Sequence, residues 1–167
     1  MKKMTLLFLS LLILTSSIQS QNSNPLTGDQ IKNLAKAYRH GKNGWTFLHI
    51  EGKPGDRGFQ HGYLMANEIK ENIRLLRTSW VHKTAIDWSW YIQQAGLILT
   101  PKVDKENLEE IDGIAEGMKA AGVITSRDEL VGLNGYPELA GSWWSTVKDS
   151  IHSHPHFFDR DTNTQNL

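Results

Sequence analysis

Two glycine pairs constrain this fold more than any other feature of the chain. Gly58 and Gly62 lie inside a stretch whose apolar residues repeat with helical period, and Gly113 and Gly117 repeat the device inside another. Glycine in a helix interior costs about 1 kcal/mol against alanine, so two such pairs in otherwise good helices need a packing reason. Glycines four apart leave one helix face bare, where another backbone can approach closely. The spacing predicts that each pair meets a neighbouring helix, or that the two pairs meet each other.

The apolar stripe around the first pair reads Phe59, Tyr63, Ala66, Ile69, Ile73, Leu76 and Trp80. Steps of three and four are helical and exclude the alternation of a strand. They predict one long helix from about 56 to about 80, with Asp56 at its N-cap or in its first turn, where a carboxylate meets the positive helix end. Upstream, 29–39 reads as a short helix stopped near Gly41, 41–44 as a turn, and 45–51 as a strand. Trp45, Phe47 and His49 alternate there with Thr46, Leu48 and Ile50, so apolar groups fall on both faces and both are expected to be covered. Gly52 to Gly55 break that strand.

Further on, Trp88, Tyr91, Ile92 and Ala95 mark a helix over 87–99, ended by Pro101. Leu108, Ile111, Ala115, Met118 and Ala121 mark another over 104–121, ended by Gly122. Ser126-Arg127-Asp128-Glu129 has the form of a capping box opening a short helix through Leu133. Residues 134–137 read as a turn. Residues 138–150 follow no clear period, although Trp143 and Trp144 need burial. The elements together predict an α+β fold that is mostly helix.

Composition narrows the function classes. The chain has 18 Lys plus Arg against 18 Asp plus Glu, so no basic excess exists to neutralise the phosphates of a nucleic acid. It has no cysteine, which excludes disulfides, thiolate metal sites and a cysteine nucleophile within these 167 residues. At one end, Met1-Lys2-Lys3, the apolar run Leu6 to Leu14 and the small polar residues up to Ser20 have the order of a secretory signal peptide. That run is short for a permanent membrane span. The expected organisation is a signal peptide over 1–20, a helix-rich segment over 21–151 and a polar loop or tail over 152–167. The mature chain is expected to be secreted or periplasmic.

Three groups of residues are candidates for chemistry. Arg57 and His61 sit beside the first glycine pair; a lone His next to a packing glycine is more often structural. Glu109, Glu110, Asp112 and Glu116 crowd the second glycine helix, where metal binding competes with a plain solvated acidic face near the helix N-terminus. His152, His154 and His156 alternate around Pro155, with Asp159 close behind, and two of these imidazoles could serve a transition metal. The plainer reading of them, and the favoured one, is a loop with adventitious metal affinity. There is no phosphate loop, no Rossmann fingerprint, no serine elbow and no zinc-protease helix motif. No catalytic, cofactor-binding or metal residue is assigned.

Three stretches in order do resemble a known family. Glu51-Gly52, Gly55-x-x-Gly58-x-Gln60-His61-Gly62 after a strand, then Leu108 to Gly117, then Asp128 to Asn134, are similar to the markers of secreted N-terminal-nucleophile (Ntn) hydrolases of the penicillin acyltransferase and phospholipase-B-like type. The likeness runs roughly from Trp45 to Trp144. It implies a four-layer αββα sandwich, of which this chain holds only the helix-rich portion before the nucleophile. It also implies a precursor that cuts itself before a cysteine, whose thiol then attacks an amide or ester carbonyl with its own α-amino group as base. That cysteine is expected beyond the loop that ends at Leu167. The implied partner is a strand-rich C-terminal half or subunit, with no nucleic acid, cofactor or permanent membrane span. A small exported helical binding or interaction protein without catalysis is the alternative.

Overall fold

A computed structural model describes residues 25–144. The expected signal peptide, the tail and the His152, His154 and His156 cluster lie outside the described residues.

The first helix, α1 (Gly28–Leu34), opens on a full capping box: the Thr27 hydroxyl accepts from the Gln30 amide, and the Gln30 side chain accepts from the Thr27 amide. It is shorter than the sequence predicts. Tyr38 and Arg39, read as its last turn, instead begin strand β1 (Tyr38–Lys42), which pairs antiparallel with β2 (Trp45–His49). Gly41 and Lys42 belong to β1, so the turn is only Asn43-Gly44. Both turn residues have positive φ, 53° and 82°, the requirement of a two-residue hairpin whose twist matches its strands.

The hairpin is not covered on both faces, and this corrects the sequence reading. Tyr38, His40, Phe47 and His49 share one face, with Tyr38 stacked on His49 at 4.9 Å and His40 on Phe47 at 5.0 Å between ring centroids. Tyr38, Trp45 and Phe47 are exposed. On the other face Leu48 is half-buried. There the Arg39 guanidinium reaches the helices, donating to the Leu64 carbonyl and to Glu68 at 2.7 Å each.

The predicted long helix is two: α2 (Pro54–Leu64) and α3 (Ala66–Thr84), broken at Met65, whose φ of −118° leaves the helical region. The stripe nonetheless continues across the break, with Phe59, Ala66 and Trp80 buried and Tyr63, Ile69, Ile73 and Leu76 half-buried. Asp56 sits in the first turn of α2, and Lys53 takes the N-cap position without a side-chain bond. The next helices follow the sequence closely. Helix α4 (Trp88–Ile98) is capped by Asp87, and α5 (Lys105–Ala120) ends where Gly122 adopts φ +84°. In α6 (Arg127–Asn134) only half of the predicted box forms: Ser126 accepts from the Glu129 amide. The Glu129 carboxylate turns elsewhere, accepting from Trp88 Nε1 at 2.7 Å and from Thr125 Oγ1 at 2.9 Å. The turn predicted at 134–137 runs instead into a π-helical segment, Pro137–Trp143.

Two apolar clusters hold these helices. One gathers Trp80, Trp88, Tyr91 and Leu139 with Trp90 and Trp144 against them. The other gathers Ala66, Met118, Val123 and Leu130 under Ile69, Ile111 and Ile114. Burying a ring the size of Trp80 or Tyr91 removes about 150–250 Å² from water, roughly 4–6 kcal/mol before entropy is counted. The Tyr91 hydroxyl stays satisfied by donating to the Gly132 carbonyl at 2.7 Å. Among the described residues no helix is long and apolar enough to cross a membrane.

Candidate functional site

The glycine pairs face each other. A Cβ built on Gly58 would stand 2.0 Å from the Glu110 carbonyl oxygen, and one on Gly62 the same distance from that of Ile114. Reciprocally, one on Gly113 would meet the Gly55 carbonyl at 2.3 Å and one on Gly117 that of Phe59 at 2.1 Å. Helices α2 and α5 therefore touch backbone to backbone over two turns, a spacing only hydrogen side chains allow.

Gln60, between the two glycines of α2 in sequence, is fully buried and fully bonded. Its Oε1 accepts from the Glu51 amide at 2.8 Å. Its Nε2 donates to the Glu51 carbonyl at 3.0 Å and to Asn33 Oδ1 at 2.7 Å. Asn33 in turn donates to the Asp56 carbonyl at 3.2 Å. One amide side chain thus ties the end of β2 and the last turn of α1 to the glycine helix. A buried polar group of this kind is stable only because each of its atoms is paired. The sequence reading singled out Arg57 and His61 as candidates for chemistry and named Gln60 only within the first stretch of the resemblance. Standing two residues from each packing glycine puts Gln60 on the opposite side of α2 from the lock, facing Asn33 and Glu51.

Arg57 is a brace. It donates through Nε and Nη2 to Glu110 at 3.2 and 2.8 Å, and through Nη1 to the Gly52 carbonyl at 3.1 Å. Glu106 stands 3.4 Å from Nη2. The bond to Glu110 chiefly, with Glu106 behind it, raises the guanidinium pKa further above its usual value, against desolvation. His61 is half-buried, and burial lowers its imidazole pKa while the Glu110 charge pulls the other way. Of the α5 acids, Glu110 is thus paired with Arg57, and Asp112 holds Arg127 through Nε and Nη2. Glu109 stands 3.7 Å from Lys105. Among the described residues no group of three or more His, Asp or Glu is placed to hold a metal ion.

A groove of about 520 Å³ opens beside this interface, walled by Gly55, Phe59 and Gly113. Asp29, Asp56, Glu109, Asp112 and Glu116 line it, against Lys53 as the one cation of its lining. Such a surface attracts cations, but nothing in its lining is an activated nucleophile for acyl transfer. Helix α6 docks against α4 and α5: Asp128 accepts from Thr100 Oγ1 at 2.8 Å and covers Gly96, while Gly132 admits the Tyr91 ring. No protein-family model, no curated protein and no solved structure matches this chain.

Proposed function

We propose that this chain is the part preceding the nucleophile in a secreted Ntn-type acyl hydrolase or acyltransferase, acting on amides or esters of the phospholipase-B-like class and inactive by itself. The observation that carries the reading is the meeting of the three stretches on which the resemblance rests. Gly58 and Gly62 of the first lock onto Gly113 and Gly117 of the second, and the third, α6, packs Leu130 into the same cluster as Met118 of α5. The hairpin supports it further. Helices brace one face through Arg39, while the aromatic face carrying Tyr38, Trp45 and Phe47 is open. In this reading the hairpin, tied to the helices through Arg39 and otherwise exposed, takes its place in a larger sheet once the strand-rich half is present.

In this reading the helical portion does no chemistry. Gln60 and the glycine lock fix the position of β2, and the strand-rich half supplies the cysteine and the oxyanion donors. Reading the coding DNA downstream of codon 167 tests it. The proposal requires a frame, in phase or shifted, that encodes a cysteine followed by alternating strands. A downstream region without one leaves a small exported binding protein in its place.

A further inference from the structure

A second groove, of about 470 Å³, lies between α3 and the 123–126 loop. Its size is within the range that small-molecule sites occupy. Lys70, Arg74 and Arg77 fall on one side of α3 and form one wall; Val123 and Ile124 of the loop form the other, with Ile73 between.

The charges here are unevenly committed. Arg74 gives two hydrogen bonds to Glu71, at 2.8 and 2.7 Å. Glu129, the other acid in the lining, is held by Trp88 and Thr125. Lys70 and Arg77 form no ion pair with any described residue. They stand seven residues apart, about 10 Å along the helix, so both long side chains reach a head group placed between them. The opposite wall is apolar and open: Ile124 is 78% exposed while Val123 beneath it is buried. A branched aliphatic side chain held in water beside two cations that form no ion pair, in a lining of three cations and two carboxylates, suits a ligand with both features. The lining holds no aromatic ring to stack a base or a sugar.

We propose that this groove binds a small anionic amphiphile, its carboxylate or phosphate head between Lys70 and Arg77 and a short aliphatic chain along Ile73, Val123 and Ile124. The inference does not depend on the acyl-hydrolase reading, since it uses neither the glycine lock nor a nucleophile.

Isothermal titration of the full chain with octanoate, octyl phosphate, 1-octanol and acetate tests it. At least one octyl anion should bind at sub-millimolar concentration, and the tighter of the two identifies the head group. Octanol and acetate should each bind at least tenfold more weakly. The double variant Lys70→Gln/Arg77→Gln should lose at least tenfold and Ile124→Ser several-fold. Lys102→Gln, remote from the groove lining, should bind as the parent does. Circular dichroism confirms that each variant folds. Failure of both octyl anions to bind below about 5 mM overturns the proposal. So does octanol binding as tightly as the anions, or full binding by a folded double variant.

Discussion

Alanine at Gly62 should pry α2 from α5. The new Cβ would stand 2.0 Å from the Ile114 carbonyl oxygen and 2.8 Å from its carbonyl carbon. Ordinary contact needs about 3.5 Å, so the backbones must part by about 1.5 Å at that point. Neither atom can rotate away, because both belong to the main chain of a helix. Overpacking of this kind costs about 1–3 kcal/mol, and a rigid neighbour places it at the upper end. Alanine returns about 1 kcal/mol of helix propensity, leaving a net loss of about 2 kcal/mol. Gly28→Ala is the control: nothing lies within 4 Å of a Cβ there, so the same change should fall within about 0.5 kcal/mol of the parent. Urea denaturation followed by circular dichroism, with slopes compared, reads both. Gly62→Ala/Gly117→Ala should cost less than the sum of the singles, because one separation of the helices relieves both clashes. If Gly62→Ala unfolds at the parent urea concentration or above, the close backbone contact is wrong.

Other consequences follow from the same interface. Gln60→Leu strips partners from the Glu51 amide and carbonyl and from Asn33, and should cost about 1–3 kcal/mol; faster hydrogen exchange at the Glu51 amide would mark the lost clamp, and parental exchange would refute it. Burial lowers the His61 pKa in the folded chain, so its contribution is complete above the unfolded value near 6.5 and is lost as pH falls below it. The melting temperature should therefore drop as pH falls below about 6.5, and His61→Gln should flatten that drop; an unchanged slope would exclude His61 as its source. The Glu68 and Glu71 carboxylates, held low by Arg39 and Arg74, act on the acid side of that window. Their share should fade as pH falls through the carboxylate range and should shrink with added salt, read as a smaller salt effect in Arg39→Gln/Arg74→Gln.

The helices were largely legible in the sequence because their signals are local and periodic. The stripe from Phe59 to Trp80 points inward along its whole length, and Asp87, Ser126 and Gly122 bound helices as their residue types predict. The break at Met65 left no trace because the apolar period runs through it. The hairpin was half read. Asn43-Gly44 is a strong turn signal, but Tyr38 at helical distance from Ile31 and Leu34 drew β1 into α1. The Glu129 side chain escaped its predicted box because Trp88, distant in sequence, offers an indole N–H at 2.7 Å. The glycine lock was readable as a need for close packing, and the structure supplies its partner. Gln60 was not readable as a clamp, since its partners Glu51 and Asn33 come from two other elements.

Acyl turnover, measured on the purified chain alone and again after refolding with the strand-rich polypeptide encoded downstream, tests the central proposal most directly. A fluorogenic acyl amide and a phospholipid, each with and without chelator, serve as substrates. The account predicts no turnover and no self-cleavage by the chain alone, which has no cysteine. It predicts turnover by the refolded pair, lost when the cysteine of the added half is replaced by alanine. Turnover by the chain alone that survives chelation, or a folded pair that stays silent on both substrates, would contradict it.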